Sequence, residues 1–400
     1  MENGMGLLKK INSMNLMERR EMFPNLTDED FESMQDCSEE ELTMILLQCM
    51  ETGKRRLWFD RDICGLDAEG MALLQQLEEQ SRKIGGSGQV DSRQLRYLKQ
   101  LRKMKLHVPL LFRTVNNPRV LYRRLTAFSR AHDIPEEIVP RIVPVLIAYV
   151  ETGHMRPVIF VGEKGCGKTT AIQLLIKEAL HIPVKVIKVP QTAGGHGMTG
   201  DCASYHSADV GDLAKARLSE NSLVLAYIFD EIDKAPHRNN GANIEDELLS
   251  ITDESCSDIY EQFLETTLVG LDLCPKFMTA NEIEEVSPVL VDRCLVIHFP
   301  NADADRIKSI SRKYVDKKLQ TALYRMISFD YELMDKHIEY LVHKKVTSLR
   351  KHQQMIEEVL GMALDQAMSQ EADDAVQVTE AMFKDAERVV LGTMERHAGF

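Results

Sequence analysis

The sequence predicts an α/β chain: a parallel sheet covered by helices on both faces, preceded by a helical N-terminal region and followed by an all-helical C-terminal unit. Three observations predict it. From residue 157 short apolar, β-rich runs alternate with helical patterns, the texture of a buried parallel sheet. After Pro300 the strand signals stop and helical patterns run to the end, and before residue 90 the chain reads as short amphipathic helices. With 400 residues and 44% hydrophobic content, the chain can bury two or three cores.

Taken in order, Ser38 and Glu41 form a capping box ahead of LTMILLQCM, and MALLQQLEEQ is a second amphipathic run. IGGSGQ at 84–89 is the most linker-like stretch. A basic region follows, and Pro135, Pro140 and Pro144 punctuate the approach to the sheet. The expected strands are VIFV, VKVIKV, LVLAYIF, KFMT and LVIHF, and the later helical patterns cover roughly 303–325, 329–343, 347–369 and 375–396. The expected boundaries are a helical N-terminal unit at 1–90, a basic helical linker region at 91–140, a large α/β domain at 141–300 and a helical domain at 301–400.

A formal net charge of −13 argues against indiscriminate attraction to phosphate backbones or anionic membranes. The average hides an asymmetry: Arg93 to His132 holds eleven Lys or Arg and no acid, whereas Asp28 to Glu41 holds eight acids and no base. The eight cysteines form no CxxC pair, no N-terminal stretch resembles a signal peptide, and no apolar run reaches the span of a bilayer. These features lead us to expect a soluble, cytoplasmic protein without a membrane partner. His196, Cys202 and His206 match the spacing of no standard zinc site.

The chemistry concentrates in four places. VIFVGEKGCGKTT sets Gly162, Glu163, Lys164, Gly165, Cys166, Gly167, Lys168, Thr169 and Thr170 between a strand and a helix in the pattern G-x-x-x-x-G-K-T. Backbone N–H groups of such a loop turn toward phosphate oxygens, the lysine reaches the β- and γ-phosphates, and the threonine ligates magnesium. The expected ligands are therefore ATP and Mg2+. Some sixty residues on, LVLAYIFDEIDKA ends a strand in Asp230 and Glu231, placed to hold the metal and to polarise an attacking water, respectively. KFMTAN ends another strand at Asn281, able to orient that water, and Arg293 follows in SPVLVDRCLVIHF.

With these motifs in that order, residues 157–370 resemble the AAA+ module, and within that superfamily the ATPase of Lon-type proteases. FDEIDKAP, EDELLSITDESCSDIYEQFLE, FMTAN, SPVLVDRCLVIHF and VTSLRKHQQMIEEVL carry the likeness. The resemblance implies a P-loop large domain with a helical lid, sensor 1 at Asn281, an arginine finger at Arg293 reaching a neighbouring subunit, sensor 2 at Arg350, and a homo-oligomer, a hexameric ring in the family pattern. It also implies that Tyr205, in TGDCASYHSADVGDLAKAR, is a pore-loop aromatic, with His206 beside it; a flat apolar face suits contact with many side chains. About 30 residues follow the sensor helix, too few for the peptidase domain of Lon-type proteases, so peptide cleavage is not expected of this chain.

The substrate stays open between three readings. A ring that threads or remodels a protein is one. Nucleic-acid remodelling through the basic stretch 93–130, interleaved with Tyr97, Phe112, Tyr122 and Phe128, is another, unless that stretch packs internally. A nucleotide-driven assembly switch is the third, and the intact Glu231 speaks against it.

Overall fold

The protein is described from a computed structural model, which covers residues 65–83, 92–104, 118–180, 182–192, 197–205, 207–235, 244–253, 259–369 and 375–395. The Ser38–Glu41 capping box, the IGGSGQ stretch, Phe112 and His206 lie outside these residues. The described residues fall into two compact units. One takes those up to 128 with 136–160 and 172–297, and the other takes 129–135, 161–171 and those from 298 on.

The first unit begins with helices α1 (Ala68–Lys83), α2 (Ser92–Lys103), α3 (Pro118–Ala131) and α4 (Val139–Thr152). Asp67 starts α1 by accepting the Gly70 N–H on its side chain at 2.7 Å, and it also accepts the Thr266 hydroxyl at 2.8 Å. In α4, Pro140 occupies the first turn, where its missing N–H costs nothing, and Pro144 sits inside the helix. These prolines are thus part of a helix rather than punctuation before one. Gly153 ends α4 in a left-handed conformation, donating its N–H to Tyr149 O.

Five strands form the central sheet: β1 (Val158–Val161), β2 (Val184–Lys188), β3 (Ala226–Asp230), β6 (Lys276–Ala280) and β7 (Leu295–His298), in the order β2-β3-β6-β1-β7. β2 runs parallel to β3 with Lys188 opposite Asp230, and β3 runs parallel to β6 with Phe229 opposite Met278. Val158, Ile159, Phe160, Ile228, Phe229, Phe277 and Met278 are buried, which explains why these strands read as unbroken apolar runs. From β1 the chain crosses to the far edge at β2, while β7 lies on β1's other side. The order therefore reverses beside β1, where open α/β sheets place their ligands.

Between strands lie α5 (Lys168–Leu180), α6 (Asp212–Glu220), α7 (Ile244–Thr252) and α8 (Pro288–Arg293). The expected strand at LVLAYIF starts only at Ala226; Leu223 to Leu225 are buried ahead of it. A hairpin of β4 (Ile259–Glu261) and β5 (Thr266–Leu268) precedes β6 and was not expected from the sequence.

In the second unit the helices are α9 (Ala304–Leu319), α10 (Tyr331–His343), α11 (Leu349–Ser369) and α12 (Glu380–Glu395). Asp303 and Asp330 cap α9 and α10 through their carboxylates. Ile307, Val315, Ile338, Leu341, Met355, Val359 and Ala363 form the core. Strand structure does not stop at Pro300: β8 (Ile327–Ser328) and β9 (Val376–Gln377) pair in parallel. The expected patterns at 303–325 and 375–396 are shortened accordingly, the first ending at Leu319 and the second starting at Glu380. A two-residue strand paired across nearly fifty positions leaves no local periodicity to read.

Candidate nucleotide site

The phosphate loop connects β1 to α5 and belongs to the second unit. A Cβ at Gly162 would lie 2.6 Å from Phe299 O, so only glycine fits where these backbones approach. Gly165 and Gly167 take φ of 82° and 91°, the left-handed turns that carry the loop into the helix. Lys168 is 7% exposed, and its ammonium donates to Gly162 O at 2.5 Å and Glu163 O at 3.0 Å, across the mouth of the loop. Cys166 is buried under it, whereas Glu163, Lys164 and Thr170 are exposed and Thr169 is half-buried.

Two contacts from the helical domain's sequence fasten this loop. The Leu349 N–H, at the start of α11, donates to Gly165 O at 3.0 Å. That brings Arg350 beside the loop, with its Cβ 3.5 Å from where a Gly165 side chain would begin. Arg306, in the first turn of α9, donates through Nε to Asp133 O at 2.7 Å and through Nη2 to Cys166 O at 3.3 Å, and stacks over Phe299 at 5.4 Å. The two carbonyls that Arg306 binds lie more than 130 residues away in the chain, so no local pattern could reveal its place here.

The acidic strand end lies in the first unit. β3 ends at Asp230, and Glu231 turns out of the strand with φ 59° and ψ 52°, a conformation that costs a side-chain-bearing residue about 1 kcal/mol or more. Its carboxylate stands 2.9 Å from Lys234 Nζ. Thr279, buried in β6, donates its hydroxyl to Asp230 Oδ1 at 2.7 Å and accepts the Glu231 N–H at 3.0 Å. Asn281 follows β6 and donates to Asp233 Oδ2 at 3.1 Å, so Asn281 and Glu231 converge on the same turn. Arg293, at the end of α8, donates to Leu249 O at 2.7 Å and faces Asp253 at 3.5 Å. Arg312, in the second unit, pairs with Asp335 at 2.5 Å.

Tyr205 lies on the loop between Met198 and Gly211 and is 68% exposed. Turn bonds hold it there: Tyr205 N–H to Cys202 O at 3.0 Å and Ala208 N–H to Tyr205 O at 3.1 Å. The loop's base is fastened to the β4–β5 hairpin. Glu261, fully buried, accepts the Gly211 N–H at 2.9 Å and the Leu264 N–H at 2.5 Å, while the Gln262 N–H donates to Thr199 O at 2.8 Å. Burial pushes the Glu261 carboxyl up to about 7, against the two N–H donors that favour its charge.

The basic stretch is partly engaged within the first unit. Lys99 and Arg102 face Glu78 of α1 at 3.5 and 3.9 Å, and Gln94 and Gln100 of α2 donate to Phe263 O and Leu218 O, both at 2.7 Å. In α3, Arg124 donates to Glu178 O and Ala179 O at the end of α5. Tyr122 is exposed and Tyr97 half-buried. Among the described residues no cluster of His, Cys, Asp and Glu could hold a metal ion by itself, and no helix is long and apolar enough to cross a membrane.

Comparison with known proteins agrees with this geometry. Residues 158–301 match the AAA family, the ATPase family associated with various cellular activities. A Lon protease homolog of Acanthamoeba polyphaga mimivirus is 24% identical over 207 residues, which are 50% of this chain and 20% of that protein. The chain therefore spans about a fifth of the length of that relative.

Proposed function

From the premise that residues 158–301 carry an AAA-family domain, and that the chain resembles the ATPase module of Lon-type proteases, we propose an ATP-hydrolysing ring motor that threads or remodels a protein partner. The observation that carries it is the phosphate loop, whose glycines turn the backbone around a buried Lys168 ammonium held at the loop's mouth. In this reading Gly162 to Gly167 cradle the phosphates, Lys168 contacts the β- and γ-phosphates, and the start of α5 adds its dipole. Glu231 draws a proton from the attacking water, and Asn281 orients that water.

Thr169 and Asp230 supply the hard oxygen donors that Mg2+ takes, and Asp230's carboxylate is already oriented by Thr279. When bound, Mg2+ neutralises charge on the phosphate oxygens. Arg293 and Arg350 complete the assignment as arginine finger and sensor 2, with hexameric assembly as the corollary. We retain 1–90, 91–140, 141–300 and 301–400 as the proposed organisation and place the protein in the cytoplasm.

Tyr205 favours a protein substrate, because an exposed aromatic on a loop whose base is fastened to a hairpin is suited to gripping a chain. A second reading, nucleic-acid remodelling, rests on α2 and α3, which carry no acidic residue. The inward engagement of Lys99, Arg102 and Arg124 weighs against it. The test is steady-state ATP hydrolysis with unfolded protein, single-stranded DNA, duplex DNA or RNA, by wild type and Tyr205→Ala. Stimulation by unfolded protein that disappears in Tyr205→Ala is expected. Salt-sensitive stimulation by nucleic acid that survives Tyr205→Ala would replace this reading with the second, and no stimulation by any of them would favour an assembly switch.

A further inference from the structure

We propose that Thr279 is a positioning residue for ATP hydrolysis, a single buried hydroxyl that sets both the Asp230 carboxylate and the backbone from which Glu231 departs. The inference rests on the ATPase reading above and assigns a role to a residue of the FMTAN stretch to which that reading gives none. β3 and β6 are in parallel register, with Phe229 opposite Met278, so the next pair along is Asp230 opposite Thr279. Paired residues of parallel strands project to the same face, and there the Thr279 hydroxyl donates to Asp230 Oδ1 at 2.7 Å.

Glu231 presents a separate problem. β3 ends at Asp230 and Glu231 turns away in a left-handed conformation, so its N–H lies past the end of the strand and needs an acceptor other than a ladder carbonyl. It finds the same oxygen, Thr279 Oγ1, at 3.0 Å. The hydroxyl has only one proton to donate. With the proton committed to Asp230 and a lone pair to Glu231, its rotation is fixed. Thr279 is 1% exposed, so water does not substitute for either bond.

Two groups with different duties are thereby indexed to one atom: an oxygen ligand suited to Mg2+ and the turn that aims a general base. Serine would offer the same hydroxyl with less rotamer restriction. Valine would keep the β-branched shape that suits a strand but would remove both hydrogen bonds at once.

The experiment compares wild type, Thr279→Val and Thr279→Ser in steady-state ATP hydrolysis, in binding of a fluorescent ATP analogue with and without Mg2+, and in thermal unfolding. For Thr279→Val the expected result is a kcat lower by about tenfold or more. KM for ATP should stay within about threefold, and the enhancement of analogue binding by Mg2+ should shrink while Mg2+-free binding is retained. Thr279→Ser should recover kcat to within about threefold, because it restores the hydroxyl and not the methyl group. Turnover of Thr279→Val at the wild-type rate, or equal impairment of both variants, would overturn the proposal. If the wild type itself fails to hydrolyse ATP, the ATPase reading falls. The binding measurement then still judges Thr279: the same Mg2+ enhancement in wild type and Thr279→Val would refute its positioning role.

Discussion

Replacing Glu261 by glutamine removes an ionisable group from the joint between the Tyr205 loop and the β4–β5 hairpin, and the structure sets the size of the effect. Glu261 is fully buried. Desolvation raises its carboxyl from 4.5 to about 7; the N–H groups of Gly211 and Leu264 oppose the rise, Asp209 adds to it and Lys215 reduces it. At about 1.4 kcal/mol per pH step, ionising Glu261 in the folded chain costs about 3 kcal/mol. The folded protein holds this proton up to about pH 7, whereas the unfolded chain releases it near the ordinary carboxylate value. Between the two the folded state binds more protons, so this group's contribution to stability is greatest at the acid end and falls as pH rises, levelling off above about pH 7.

Glu261→Gln has no proton to release. Its amide keeps one acceptor for one N–H but turns an NH2 donor toward the other, a pH-independent loss of about 1 kcal/mol. The assay is denaturant unfolding of wild type and variant at about pH 5, 6 and 7. The stability of the variant relative to wild type should climb by on the order of 1 kcal/mol per pH step across that range. Parallel stability–pH profiles would show that Glu261 does not ionise within the window and would refute the reasoning.

Glu231→Gln should retain ATP binding and lose nearly all turnover, measured as nucleotide affinity beside steady-state hydrolysis; wild-type turnover would remove Glu231 from its assigned role. Arg293→Ala should abolish hydrolysis in the assembled protein with little change in ATP affinity or melting temperature, since its half-exposed pairing with Asp253 is worth no more than about 1 kcal/mol. Gly162→Ala places a methyl group 2.6 Å from Phe299 O, and the expected result is a loss of about 1–3 kcal/mol in stability together with weakened ATP binding, read by calorimetry.

The strands of the sheet and the phosphate loop were legible because their signals are local. VIFV is apolar throughout, VKVIKV and KFMT are short β-rich runs broken only by lysine, and the glycines of the loop are spaced by the turn they make. The β4–β5 hairpin was not legible: its strands are three residues long, and Glu261 and Thr266 occupy buried positions where an alternating pattern would call for apolar residues. Thr279 read as an ordinary β-branched strand residue, because its value depends on the register of β6 against β3. Nothing local marks Arg306, because its guanidinium spans Asp133 and Cys166, a pairing that exists only once distant segments meet. In the basic region the charge pattern was legible but its use was not, since Glu78, Leu218 and Glu178 are contributed by other elements.

The short pairing of β8 with β9 has a consequence for the order in which the protein is made. Val376 and Val378 donate to Met326 O and Ser328 O, and Phe383 packs edge-on against Phe329. A nascent chain on the ribosome must therefore be synthesised past Phe383 before Ile327 and Phe329 have their partners. The compact unit that includes residues 161–171 is thus finished only after residue 383 has been added. The phosphate loop, although it is made more than 200 residues earlier, waits until then for the complete core of its own unit.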